Sequence, residues 1–427
     1  MSILTNRPSP TSGVRRAPAR VGIAAAVAGS LLALSACSTD GEQDAGGTTT
    51  LSFFSWDGEP VMAPVIEAFE EQHQDIQIEF SSAPPVQEYI STLQTRISSG
   101  TAADVFIMAA ENKTNLIEGE FVVPLTGEPF MENIAEFNQQ TYGADGEVYA
   151  MSLSSWGGGI VYNREHTDAV GMSDPPTDWD AFRDLLADLE DTGVAAFYEN
   201  LQEIPMSLQA LVGGSYESDF TVDQRIFDGE TTFEAEWTEP LQTWAALFED
   251  GLMSPDVVGL SGDQILDEFA NGRVAMMATG PWSLPTIRET APDMDFGFMP
   301  FPAPAGQEAY LPGAASPGYA INSATDNEEA AKTFLAFLAS PEGVQLYNES
   351  SSAITTTGDF EPTVDPVLED VVEPIREGRV YLAQISWPRY EDVLMTTAVA
   401  SLQQVILGQR EPADVATALD EVLEQQS

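Results

Sequence analysis

Hydrophobic and polar positions follow two periods along this chain. Thr48 to Trp56 concentrates β-branched and aromatic residues and predicts a buried strand. From Pro60 to Gln72, Val61, Val65, Ile66 and Phe69 recur at helical spacing. Ile76 to Phe80 alternates, which predicts a strand. Val86 to Ser98 reads as a helix that Gly100 ends. Ala103 to Met108 is a third strand. This strand–helix–strand–helix–strand run predicts a parallel sheet flanked by helices. Such sheets bind ligands beyond the carboxyl ends of their strands, so the segments after Phe54 and after Ile107 are candidate site loops.

The pattern continues less regularly. Val148 to Leu153 reads as a strand. Gly157-Gly158-Gly159 follows, a run whose lack of side chains allows an unusual backbone path. Trp179 to Glu190 is a helix, with Asp178 as its cap. Pro240 to Glu249 and Gln264 to Ala270 are further helices. Val274 to Met277 is a strand running into Thr279-Gly280-Pro281-Trp282, and Met276 and Met277 read as core. Asp295 to Pro304 is extended, Gly318 to Ile321 a short strand, and Glu328 to Leu338 an amphipathic helix. Pro341 starts another helix, and the chain is helical from about Glu391 to its end. His73 and His166 read as surface residues.

Length and composition narrow the classes. A chain of 427 residues suits two large lobes and can bury a sizeable core. The hydrophobic fraction of 43% argues against wholesale disorder. With 16 Lys+Arg against 68 Asp+Glu, the formal charge is −52. A nucleic-acid partner needs a basic surface, so none is expected. The acids are dispersed, and a salt-rich or acid-rich habitat is one expectation from that. Two histidines and one cysteine leave little material for metal centres or disulfides, so no cofactor or metal is expected.

Residues 1–20 carry Arg7, Arg15, Arg16 and Arg20 and no acid; an apolar run from Val21 to Ala36 follows. The run is shorter than the ~20 residues of a comfortable membrane span, and the combination reads as an export signal. It ends in Leu34-Ser35-Ala36-Cys37, which resembles the lipobox of bacterial lipoproteins. The resemblance implies lipidation of Cys37 and removal of residues 1–36. Losing four arginines would take the charge from −52 to −56. Arg15-Arg16 matches a twin-arginine signal poorly. Residues 37–47 are small and polar and read as a tether. The expected location is the outer face of the cell membrane, anchored by lipid.

Several segments carry a further resemblance. They are Gly146-Glu147-Val148-Tyr149-Ala150 leading to Gly158-Gly159-Ile160-Val161-Tyr162-Asn163, Pro175-Pro176-Thr177-Asp178-Trp179, and Asn271-Gly272-Arg273-Val274-Ala275 with Gly280-Pro281-Trp282. Farther on come Met299-Pro300-Phe301-Pro302, Gly318-Tyr319-Ala320-Ile321-Asn322 and Ser340-Pro341-Glu342-Gly343. In this order and spacing they resemble the family 1 extracellular solute-binding proteins, the maltose-binding-protein-like receptors of carbohydrate ABC importers. The resemblance runs from Thr48 to Gln426. It implies an α/β fold of the periplasmic-binding-protein type II kind: two discontinuous lobes, a hinge, and a ligand cleft between them. The implied lobes are 48–154 with 302–349, and 155–301 with 350–427. The implied hinge crossings lie near Leu153–Gly157, Met299–Pro302 and Asn348–Ile354. Capture would proceed by lobe closure, with the importer's permease subunits as the partner and a monomeric receptor.

A sugar offers apolar faces to aromatic rings and hydroxyls to carboxylates, amides and arginine. Trp56 and Asp57 follow the first strand. Glu111 and Asn112 follow the third, where the family often carries a charged pair; the aromatic that precedes that pair in relatives is Met108 here. Trp156 falls at the first crossing. Glu203 lies in Asn200-Leu201-Gln202-Glu203, which is similar to a segment of maltose-binding proteins whose glutamate contacts sugar. Trp282 belongs to the most specific local motif, whose tryptophan stacks on ligand across the family. The segment carrying Trp387, Arg389 and Tyr390 resembles a cleft-facing loop. No catalytic residue is expected. A polyamine receptor is the alternative, since carboxylates and indoles also suit cations. A secreted glycosidase, which needs only two spaced carboxylates, is the other rival.

Overall fold

A computed structural model describes residues 48–426 apart from 217, 218, 220, 352 and 359. The export signal, Cys37 and the tether lie outside the described residues. Thr49–Ser55, Ile76–Ser82 and Val105–Met108 form parallel neighbours, with Gly318–Ile321 antiparallel beside the third, in the order 318–321, 105–108, 49–55, 76–82. The helices between them are Glu59–Gln72 and Val86–Ser99. The second ends at Gly100, whose left-handed φ of 68° a side chain would oppose. Phe53, Phe69, Phe106, Tyr319 and Phe334 fill the core of this first lobe.

A second sheet joins Phe296–Met299, Gly159–Asn163, Val274–Thr279 and Ala195–Tyr198, in that order. Helix Trp179–Glu190 lies next to it and starts where the Asp178 carboxylate accepts from Ala181 N at 2.9 Å. Helix Phe233–Glu249 begins seven residues before Pro240, because Thr232 caps it and its first turn buries Phe233 and Trp237. The chain end divides into two helices, Glu391–Ile406 and Ala413–Gln426. The apolar alternation at Val148–Leu153 gives little strand. Only Glu147–Val148 pairs as one, and the strand proper comes later, at Ser154–Gly157.

A third, linking sheet has the order Ile354–Thr355, Ser154–Gly157, Leu311–Ala315, Val380–Tyr381. Between the second sheet and the first, the chain therefore passes through Leu311–Ala315. The crossing expected at Met299–Pro302 ends nine residues before that strand begins. Met299 ends a strand of the second sheet, and Ala303 still bridges Asp178. The three glycines at 157–159 also differ from expectation. None has a left-handed φ; a side chain is excluded by contact, since a Cβ on Gly159 would lie 2.5 Å from the Met299 carbonyl oxygen.

Candidate functional site

A crevice of about 430 Å³ gathers residues from near the ends of the three four-stranded sheets. Strand Val274–Thr279 ends at its rim, and a tight turn, Pro281–Ser283, presents Trp282. The hydroxyls of Thr279 and Ser283 close that turn at 2.6 Å. A Cβ on Gly280 would lie 2.0 Å from the Trp282 ring, so only glycine lets the indole fold back over the turn. Trp282 is 56% exposed, so most of its indole faces solvent. The linking sheet supplies Trp156, whose ring meets Trp282 edge-to-face with centroids 5.4 Å apart. The two indoles make a wet aromatic corner suited to apolar ligand faces.

Polar groups surround that corner. Asn200 and Glu203 sit on a loop anchored from below by Glu199. That buried carboxylate accepts from Ser207 N at 3.0 Å, Ser207 Oγ at 2.6 Å and Trp244 Nε1 at 3.0 Å. Desolvation raises the Glu199 pKa, and the three donors oppose that rise. Gln209 ties the loop to a second wall. Its Nε2 donates to the Ile204 carbonyl at 3.0 Å, and its Oε1 accepts from Ala383 N at 3.0 Å. The segment so held carries Leu382 and Gln384 into the crevice, and Gln384 Oε1 is buried without a hydrogen-bond partner among the described residues. Asp263 comes from the first turn of helix Gly262–Ala270, which opens with a Ser261–Gln264 capping box. Glu111 enters from the turn after the third strand of the first lobe. It is exposed to the crevice, but the protein mass around it desolvates the carboxyl and raises its pKa.

The structure thus brings Glu111, Trp156, Glu203 and Trp282 to one crevice. Trp56 and Asp57 stand elsewhere, at the carboxyl end of the first strand. Trp56 packs edge-on against Tyr89 at 5.5 Å, and Asp57 accepts from Tyr347 Oη at 3.2 Å. Burial lifts the Asp57 pKa to about 6, which the Tyr347 hydrogen bond only partly offsets. Asn112 is buried beside Glu111, and neither of its amide atoms has a partner among the described residues.

The segment after Ser386 corrects the expectation of a cleft-facing loop. Trp387 is 1% exposed and lies among the helices, with ring centroids 5.7 Å from Phe233 and 5.9 Å from Trp237. Arg389 donates to the Phe227 carbonyl and lies over that ring. Tyr390 donates to the Gln426 carbonyl at 3.1 Å. None of the three lines the crevice, because the chain turns outward into the helical layer after Gln384. Gln384 itself carried no signal in the sequence. Asp263 did, through the Ser-x-x-Gln capping pattern that starts its helix.

The family model for bacterial extracellular solute-binding proteins matches residues 57–345. The chain belongs to that family. Its members are receptors that bind solutes outside the cytoplasm, and the fold has their two-lobed type II architecture. A family 1 extracellular solute-binding protein from Bifidobacterium longum subsp. infantis superposes with a TM-score of 0.79 at 30% identity, over 90% of this chain and 100% of that one. The multiple sugar-binding protein of Streptococcus mutans is 22% identical over 77% of this chain and 80% of its own length. The arabinooligosaccharide-binding protein of Halalkalibacterium halodurans is 24% identical over 69% of this chain and 68% of its own.

Proposed function

We propose that this receptor captures a neutral carbohydrate in the Trp156–Trp282 crevice and delivers it to an ABC importer. The observation that carries the reading is the indole pair, with rings 5.4 Å apart and Trp282 more than half exposed. Around it stand acceptors and amides: Glu111, Glu203, Asp263, Asn200 and Gln384. Each carboxylate can accept from several sugar hydroxyls while the indoles cover C–H faces. The names of two relatives, which bind multiple sugars and arabino-oligosaccharides, support the same class.

Binding would draw the two lobes together, because a ligand held by Glu111 from one and Trp282 from the other favours the state in which both contacts are tightest. Lipidation at Cys37 would hold the receptor at the membrane beside its permease. Labelled palmitate incorporated into the chain, but not into Cys37→Ala, tests that part.

One observation favours a second reading. The crevice presents three carboxylates and no lysine or arginine among its described lining residues, which also suits a polyamine. Thermal unfolding against mono- and oligosaccharides, polyamines and amino acids separates the two. A ligand at 100 times its Kd adds about 2.7 kcal/mol to the folded state. Stabilisation by a sugar class supports the carbohydrate reading. Stabilisation by polyamines alone replaces it.

A further inference from the structure

A second cavity, of about 380 Å³, lies across a thin wall from the crevice. The wall is the segment from Tyr381 to Ser386. Leu382 faces both spaces, Gln384 the crevice, and Tyr381 and Ile385 the second cavity. This cavity has a different chemistry. Asp223 lines it at 4% exposure, and its Oδ1 accepts from Tyr216 Oη at 3.0 Å and Tyr381 Oη at 3.3 Å. Trp237 Nε1 fixes Tyr216 in turn by donating to its hydroxyl at 2.8 Å. Desolvation still raises the Asp223 pKa to about 7, with Glu236 adding to the rise.

The first lobe contributes Lys113 to the same cavity. Its Nζ donates to the Thr141 carbonyl at 2.6 Å, which occupies one of three N–H groups. Burial lowers its pKa to about 8, and Glu391 pulls it partly back. No ion pair joins Lys113 to Asp223. Burying a charge is costly unless it finds an opposite partner. Asp219, the other carboxylate on the cavity, pairs with Arg225 at 2.9 Å, which leaves Asp223 and Lys113 as an acid and a base that line one cavity without reaching each other, between the rings of Phe137, Tyr216, Tyr310 and Tyr381.

We propose that this cavity binds a small zwitterion, its ammonium group against Asp223 and the tyrosine rings and its carboxylate on Lys113. The proposal goes beyond the sugar reading and does not depend on it. A simple cation would leave Lys113 with only the partial compensation of Glu391, and a simple anion would leave Asp223 without an opposite charge. A neutral sugar would compensate neither. Tyrosine faces attract ammonium groups, quaternary ones included. The volume lies at the small end of the ~300–1,000 Å³ usual for ligand pockets, which suits a solute of amino-acid size.

The test is calorimetry on the purified full chain with glycine betaine and L-alanine, which carry quaternary and primary ammonium groups. Choline and acetate, each half of the charge pair, are the controls. At least one zwitterion should bind one-to-one, with both controls at least tenfold weaker. Lys113→Met and Asp223→Asn should each weaken binding at least tenfold. Gln140→Trp fills the cavity from its exposed rim without touching the core, so it should block binding even if Asp223→Asn fails to fold. Three results would overturn the proposal: no heat from either zwitterion, choline binding as tightly as the zwitterions, or equal loss of binding in Trp282→Ala, which would move the solute to the crevice.

Discussion

The two cavities share a wall and little else. The crevice carries an exposed indole, Trp282, a partly buried one, Trp156, and carboxylates of which Glu203 and Asp263 lie open to water. The second cavity carries a carboxyl shut inside a tyrosine–tryptophan network and a lysine that burial has weakened as a base. An open, hydrated carboxylate can exchange water for hydroxyl groups cheaply. A buried one loses hydration on folding and demands a partner. The contrast shows that acidic composition alone says nothing about ligand chemistry; the surroundings of each acid decide it.

The largest expected effect marks what belongs to neither cavity. Trp387→Ala should cost about 3–5 kcal/mol of stability, the usual range for emptying a large aromatic site. Chemical denaturation would read this, and ligand affinity per folded molecule should be unchanged. Retained stability with lost binding would return Trp387 to the cleft.

Proton linkage gives the next effect. Asp57 and Asp223 rise from 3.8 to about 6 and about 7, so both hold a proton more tightly in the folded chain than in the unfolded one. Their contribution is complete below about pH 4 and is lost as pH rises through those folded values. For Asp57 the shift corresponds to about 3 kcal/mol. Melting temperature should therefore fall between pH 4 and pH 7, and Asp57→Asn should flatten that slope.

Trp282→Ala should weaken sugar binding by about 1–3 kcal/mol with little change in melting temperature, because the ring is mostly outside the core. The smallest effect belongs to Glu203→Gln, about 1 kcal/mol of affinity, since the amide keeps one acceptor for sugar hydroxyls. Under the polyamine reading the order reverses, and Glu203→Gln becomes the more damaging change.

Periodicity located most elements because each buries a face over its own length. Thr49–Ser55, Val86–Ser99 and Trp179–Glu190 lie within two residues of where the pattern put them. It failed at Val148–Leu153 and at the start of Phe233–Glu249, where partners distant in sequence decide pairing and capping. The site divides the same way. Trp282 was legible because Gly280-Pro281 and the preceding strand fix its turn locally. Trp387 was misread because an aromatic beside a proline looks alike whether it meets a ligand or Trp237.

The sequence by itself determined the family, the alternation of elements and the aromatic turn at Trp282, since these rest on contacts within a few tens of residues. Only the tertiary structure decided that Leu311–Ala315 carries the crossing and that Gln209 clamps Gln384 into the crevice. It alone set Lys113 and Asp223 on one cavity. Those juxtapositions join residues up to 174 positions apart through hydrogen bonds and packing, and no local pattern records such pairings.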